Sequence, residues 1–366
     1  MELTLVAVVA VALFFDFTNG FHDTANAIAT SVSTRAVSPR VAVLGAAVLN
    51  FAGAFVSIEV AATVAKGIVE ADFVTLDIVL AGLVGAITWD LITWYYGLPT
   101  SSSHALIGGV AGAAVTAAGW GAVQQEGLVE KVLIPSLLAP VVGFVFADAL
   151  MLGILWIIRR RSPSRVNRVF RRLQILSAGF VAFTHGTNDA QKTMGIIALA
   201  LVAEGRLDAD FDRPPLWVIV SAALAMGAGT YAGGWRIIRT LGQRIAKLEP
   251  PQGFAAETAT ASILWFTGNV GFPVSTTHTI SGSVLGAGAT RGVNAVRWGV
   301  AGNILLAWVL TIPAAAAIAA GAELLTRAPG GTAIVFTLMA AIAALAFLAR
   351  RQQTRARLAP APAPAS

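Results

Sequence analysis

Two acidic side chains, Asp23 and Asp189, stand in long apolar stretches, with Asn19 and Asn26 around the first and Asn188 beside the second. Placing an ionisable side chain at membrane depth costs at least about 2.5 kcal/mol on insertion scales, so each needs a ligand or a partner. Carboxylate and amide oxygens suit a hard cation such as Na+, while a desolvated carboxyl can take a proton instead. The candidate Na+ ligands are Asp23, Asn26, Asn188 and Asp189; Asn19, Glu257 and Asp90 extend the cation-handling set, and Asp148 and Glu59 read as structural acids.

A second chemistry resides in Thr100, Ser101, Ser102 and Ser103 after Pro99, and in Ser275, Thr276 and Thr277 after Pro273. Proline, then hydroxyl residues, then a Gly/Ala-rich apolar run predicts a helix start whose free amides and hydroxyls bind an anion of the phosphate or sulfate class. Asn26 and Lys192 can add an amide and a cation. Lys192 has three readings: a substrate oxygen, Asp189, or a snorkelling position at a helix end. All four histidines, His22, His104, His185 and His278, fall in these motifs and read as supports for them.

The motifs recur. Phe17-Thr18-Asn19-Gly20-Phe21-His22-Asp23 returns as Phe183-Thr184-His185-Gly186-Thr187-Asn188-Asp189, and Gly97 to His104 returns as Gly271 to His278. Two motifs repeated in the same order predict two homologous halves, with Asn26 and Lys192 at equivalent positions.

The elements that position these residues must lie in a bilayer. Of 366 residues, 56% are hydrophobic and 12% charged, against about 25% charged in a soluble domain. The apolar runs exceed the roughly ten alternating residues of an outer-membrane strand, so helices are expected. Zero cysteines exclude disulfides and thiol chemistry. The net charge of +6 gathers at the ends of apolar segments, which fits a positive-inside pattern and no nucleic acid partner. The first apolar stretch, with Glu2 where a basic region would stand, reads as a retained helix.

Residues 3–15, 25–32, 175–182 and 193–202 are too short to span alone, which predicts broken helices and re-entrant hairpins around a central site. The organisation expected is a first membrane repeat at 1–158, a cytoplasmic linker at 159–172 with seven arginines, a second repeat at 173–349 and a disordered tail at 350–366. The fold class is an all-α polytopic membrane protein of two inverted-topology repeats with roughly ten to twelve membrane segments. Similarity between halves does not by itself establish inversion.

The strings Asn19 to Asn26, Pro99 to Gly109, Thr184 to Lys192 and Pro273 to His278 resemble the inorganic phosphate transporter (PiT) family, bacterial type. The resemblance covers both halves. It implies twelve or so membrane segments, inverted repeats, a homodimer in the inner membrane, an intracellular linker, and a central phosphate site lined by these motifs. It also implies symport with Na+ or H+ as the coupling ion and no other cofactor. Eukaryotic members carry Asn where this chain has Lys192, which loosens a Na+ assignment there; some bacterial members take phosphate with a divalent metal and a proton. A carrier or channel for another oxyanion such as sulfate is the alternative. An intramembrane serine hydrolase is disfavoured, because the Ser/His set is doubled and no Gly-x-Ser-x-Gly occurs; no enzymatic activity is expected.

Overall fold

The computed structural model describes residues 2–358. It is all-helical apart from two isolated bridges. In chain order the helices are α1 (Glu2–Ser33), α2 (Pro39–Gly53), α3 (Glu59–Lys66), α4 (Leu76–Tyr96), α5 (Ser102–Ala118), α6 (Gln125–Gly127), α7 (Ile134–Ile158), α8 (Pro163–Ala203), α9 (Leu216–Ala232), α10 (Trp235–Arg239), α11 (Pro250–Val270), α12 (Thr276–Ala289), α13 (Trp298–Thr326) and α14 (Gly331–Leu358).

The halves interleave. α1 packs on α9 while its counterpart α8 packs on α2; α5 packs on α13 while its counterpart α12 packs on α7. Close approach at glycines makes this possible, as small residues do between membrane helices. A Cβ on Gly108 would meet the Ile312 backbone of α13, and one on Gly282 the Pro140 backbone of α7. The two bridges, Val69 with Val123 and Ala246 with Val296, repeat the same correspondence.

Helices start where the Ser/Thr motifs predict them, each as the second arm of a hairpin. α4 ends at Gly97 (φ 69°) and α11 at Gly271 (φ 85°), left-handed positions that suit glycine. After a short buried connection, Ser101 and Ser275 cap the next helices by accepting from the amides of His104 and His278, at 3.2 and 3.1 Å. The irregular backbone is enclosed by protein: Thr100, Ser101 and Ser275 are buried, and Trp308 Nε1 donates to the Pro99 carbonyl.

The other expected breaks are absent. Residues 3–15 and 25–32 join in α1, and 175–182 and 193–202 join in α8, so the Asp23 and Asp189 motifs lie in mid-helix. Asp23 and Asp189 find partners with the backbone still helical, in His22, His185 and Lys192 on their own helices and Thr276 on α12. Most of the 159–172 linker is also helical, because Ser162-Pro163 starts α8 there. α14 continues to Leu358, past the predicted boundary at 350, through Arg, Gln, Ala and Leu, which favour helix. Residues 359–366 of the predicted tail lie outside the described residues.

Among the described residues, five helices are long and apolar enough to cross a bilayer, six if α9 and the segment Trp235–Arg244, bent by 58°, form one span. That criterion leaves out α8, which carries polar site residues and arginines, and the shorter apolar helices α2 and α5, so it is not a count of the ten to twelve membrane segments expected. α7 and α13 turn Leu137, Val141, Val145, Leu305 and Val309 outward, an apolar girdle for lipid.

Candidate functional site

The site assembles at mid-length of α1 and α8, against the starts of α5 and α12. Asp23 and Asp189, 166 residues apart in the chain, converge on one hydroxyl: Thr276 Oγ1 is 3.4 Å from Asp23 Oδ2 and 3.3 Å from Asp189 Oδ2. Thr277 Oγ1 lies 3.4 Å from Asp23 Oδ1. Asn26 Nδ2 donates to Thr276 and Thr277 at 3.1 and 2.9 Å.

Lys192 is 1% exposed, so the snorkelling reading fails. Its ammonium donates to Asp189 Oδ1 at 2.5 Å, to Ser103 Oγ at 2.5 Å and to the Val274 carbonyl at 3.1 Å. One cation thus ties both hairpins to α8. Asn26 touches Thr277 just as its counterpart Lys192 touches Ser103, the counterpart of Thr277. The symmetry-breaking lysine therefore keeps a symmetric position.

The remaining candidates divide. Ser101 and Ser275 cap helices, and Thr100 donates to Thr93 Oγ1 at 2.8 Å. Ser102, Ser103, Thr276 and Thr277 are left as the hydroxyls nearest the free amides of the two helix starts. Ser102 Oγ and Asn26 Oδ1 are buried without a hydrogen-bond partner. Asp90 is buried with both oxygens unpartnered, and Ser102, His22 and Asp23 are among its electrostatic neighbours. Asn19 is buried on α1. Asn188 sits beside Gly268 of α11 with its amide unpartnered, and no hydrogen bond links it to either aspartate. Glu257 belongs to a separate cluster, accepting from Thr30 and Ser177 at 2.5 Å each and from Gln174 at 3.1 Å.

Histidines contribute more than support. His22 Nδ1 is 2.7 Å from Asp23 Oδ1. His185 Nε2 is 3.2 Å from Asp189 Oδ2 and 4.0 Å from Asp23 Oδ2. Its Nδ1 faces Asn50 Oδ1 at 2.9 Å, and Asn50 Nδ2 donates to Thr230, so Nδ1 carries the hydrogen. A neutral ring would then aim a bare Nε2 at two carboxylates. That arrangement calls for a proton or a metal cation among the three, whose ligand atoms lie within 4.8 Å of one another. The spacing of His185 and Asp189, one helical turn, carried this signal in the sequence. His104 and His278 instead meet each other, ring centroids 4.6 Å apart.

Asp23, Asn26, Asp189, Lys192, Thr276 and Thr277 are all buried to 2% exposure or less. The arrangement offers donors for an oxyanion, one fixed cation, and carboxylates for a mobile one, in a closed space.

The description "Phosphate transporter family" matches residues 19–319. A protein of Mycobacterium bovis, described as "Probable low-affinity inorganic phosphate transporter", is 52% identical over 324 residues, covering 86% of this chain and 76% of its own. Proteins with the same description in Rhizobium meliloti and Bacillus subtilis are 50% and 47% identical, with 94% and 95% of their own lengths covered and 86% and 87% of this chain. A solved structure titled "The sodium-dependent phosphate transporter" superposes with a TM-score of 0.82 at 25% identity, covering 89% of this chain and 99% of that one.

Proposed function

This chain belongs to the phosphate transporter family, and from that premise we propose that it imports inorganic phosphate by symport with a cation, through alternating access to the site between α1, α8 and the two hairpin tips. The observation that carries the reading is the convergence of Asp23 and Asp189 on Thr276, beside Lys192, where two helix starts meet. Ser102, Ser103, Thr276, Thr277, Asn26 and Lys192 supply the phosphate donors. Asp23 and Asp189 hold the coupling ion. Two carboxylates repel a phosphate dianion until a cation or proton occupies them, so each ligand strengthens the other by the same factor. That reciprocity is symport. Burial of the whole set supports a closed state that must open to one side at a time.

Na+ fits the oxygen donors, and the name of the structural neighbour supports it. A proton is the second reading, favoured by His22 and His185 on the carboxylates. The proposal includes inverted repeats, an inner-membrane location and a homodimer. Uptake of labelled phosphate into proteoliposomes under an imposed Na+ or proton gradient tests it. Accumulation driven by one gradient, undiminished by excess sulfate, is expected; accumulation of sulfate in place of phosphate would remove the phosphate assignment.

A further inference from the structure

A cavity of about 230 Å³ opens at the end of the molecule that carries the arginine run, apart from the site just described. Four helix ends enclose it: the last turns of α7 and α12 and the first turns of α8 and α11. Met151 and Val166 give it a buried apolar floor. Leu155, 38% exposed, carries that floor out to the lipid-facing surface of α7, where Leu152 continues it. The rim is polar, with Arg161, Asn167 and Arg291.

The charges of the rim do not cancel. Arg291 is held by Glu249, Nη2 to Oε2 at 2.6 Å, and the same carboxylate accepts from the first turn of α11 in a capping box. Arg161 is left over: among the described residues its guanidinium forms an ion pair with no carboxylate. Trp156, in the last turn of α7, is 66% exposed with the Arg159 guanidinium 4.7 Å from its ring centre, a pairing suited to headgroup level. By contrast, the cavity just before the start of α7 is lined by Glu59, Glu70, Glu126 and Glu130 against Lys66 and Lys131, a balance that repels an anion. An uncompensated guanidinium above an apolar floor that runs out to the bilayer matches a phosphate group with hydrocarbon attached. Free phosphate would satisfy Arg161 but leave the apolar floor in water, so the lipid is the better fit.

We propose that this cavity binds an anionic phospholipid, with the lipid phosphate on Arg161 and Asn167 and an acyl chain leaving over Met151 and Leu155 along Leu152 of α7. Bound there, the lipid joins the turn between α7 and α8, where the two halves meet, to both arms of the second hairpin, α11 and α12. The site requires a bilayer and does not depend on which ion drives transport.

Native mass spectrometry of the full chain in detergent, titrated with phosphatidylglycerol or with phosphatidylcholine of the same acyl chains, is the test. The parent is expected to retain phosphatidylglycerol in preference to phosphatidylcholine. Arg161→Gln should weaken the first phosphatidylglycerol adduct by about fivefold, the scale of one arginine at an anionic lipid surface. Arg172→Gln, exposed in the same run but outside the cavity, should stay near the parent. Phosphatidylglycerol should also raise the unfolding temperature of the parent by mass action, and that of Arg161→Gln less. Equal losses at Arg161 and Arg172 would mean diffuse surface charge and overturn the site, as would a parent with no preference between the two lipids. Displacement of the lipid from the parent by excess inorganic phosphate would assign the cavity to the free anion and overturn the lipid. If Arg161→Gln does not fold, Asn167→Asp, which places a carboxylate in the same cavity, must lose the same adduct, and parent-like binding there overturns the site equally.

Discussion

Lys192 is the residue on which most of the site depends, since its ammonium reaches Asp189 and both hairpins from a fully buried position. Removing one member of a buried ion pair leaves an uncompensated charge, at a cost of about 3–5 kcal/mol. Lys192→Met should therefore lower stability in denaturant titrations by that order, and Lys192→Met combined with Asp189→Asn should recover part of the loss. Equal stability of the single and double variants would mean that the pair is not what holds Lys192 inside. Hydroxyls give a second expectation. Thr276→Ala removes the contacts to both aspartates, and a hydrogen bond to a charged group is worth about 1.5–3 kcal/mol, so phosphate uptake should fall by about tenfold or more. Ser57→Ala, at a half-buried serine that donates only to the Gly268 carbonyl, should leave uptake near the parent's. Similar losses at both positions would detach Thr276 from the site.

At the level of helices, the paired hairpin arms depend on close backbone approach. A methyl group on Gly282 would meet the Pro140 backbone, whereas one on Gly302 of α13 meets nothing within 4 Å. Overpacking typically costs about 1–3 kcal/mol. Gly282→Ala and its counterpart Gly108→Ala should thus both destabilise the protein, while Gly302→Ala should be neutral or slightly stabilising. A differential unfolding measurement in detergent checks this, and the idea fails if Gly302→Ala is the more damaging change. Pairwise behaviour at Gly108 and Gly282 also tests the exchange of packing partners between the halves. The same logic explains why α1 and α8 run unbroken through Gly20 and Gly186: each glycine admits a neighbouring backbone, from α9 and α2 respectively.

For the molecule as a whole, the repeat correspondence leaves membrane orientation to be measured, and the absence of cysteine makes single-cysteine labelling clean. Arg159 to Arg172 should face the cytoplasm. A cysteine at Ser164, near the start of α8, should react only with reagent supplied from inside. If the repeats are inverted, a cysteine at Leu3, near the start of the equivalent helix α1, should react from outside. Labelling of both from one side would replace inversion by a parallel arrangement.

The helical membrane class, the two halves, the caps at Ser101 and Ser275 and the equivalence of Asn26 with Lys192 could all be read from residue order, because periodicity, cap chemistry and repetition are local properties of a chain. The Ser/Thr motifs and the two aspartates were readable for the same reason. Partner choice was not. Repetition says that α5 corresponds to α12, but it does not say that each packs on the other half's last helices. Nor does it say that Thr276 of the second half lies against Asp23 of the first, 253 residues away. The engagement of Lys192 by both hairpins and the separation of Glu257 into its own cluster likewise follow from helix packing. These are contacts across the interface between halves, fixed by which backbones can approach at glycines and which buried polar groups can find partners, and no local pattern encodes either.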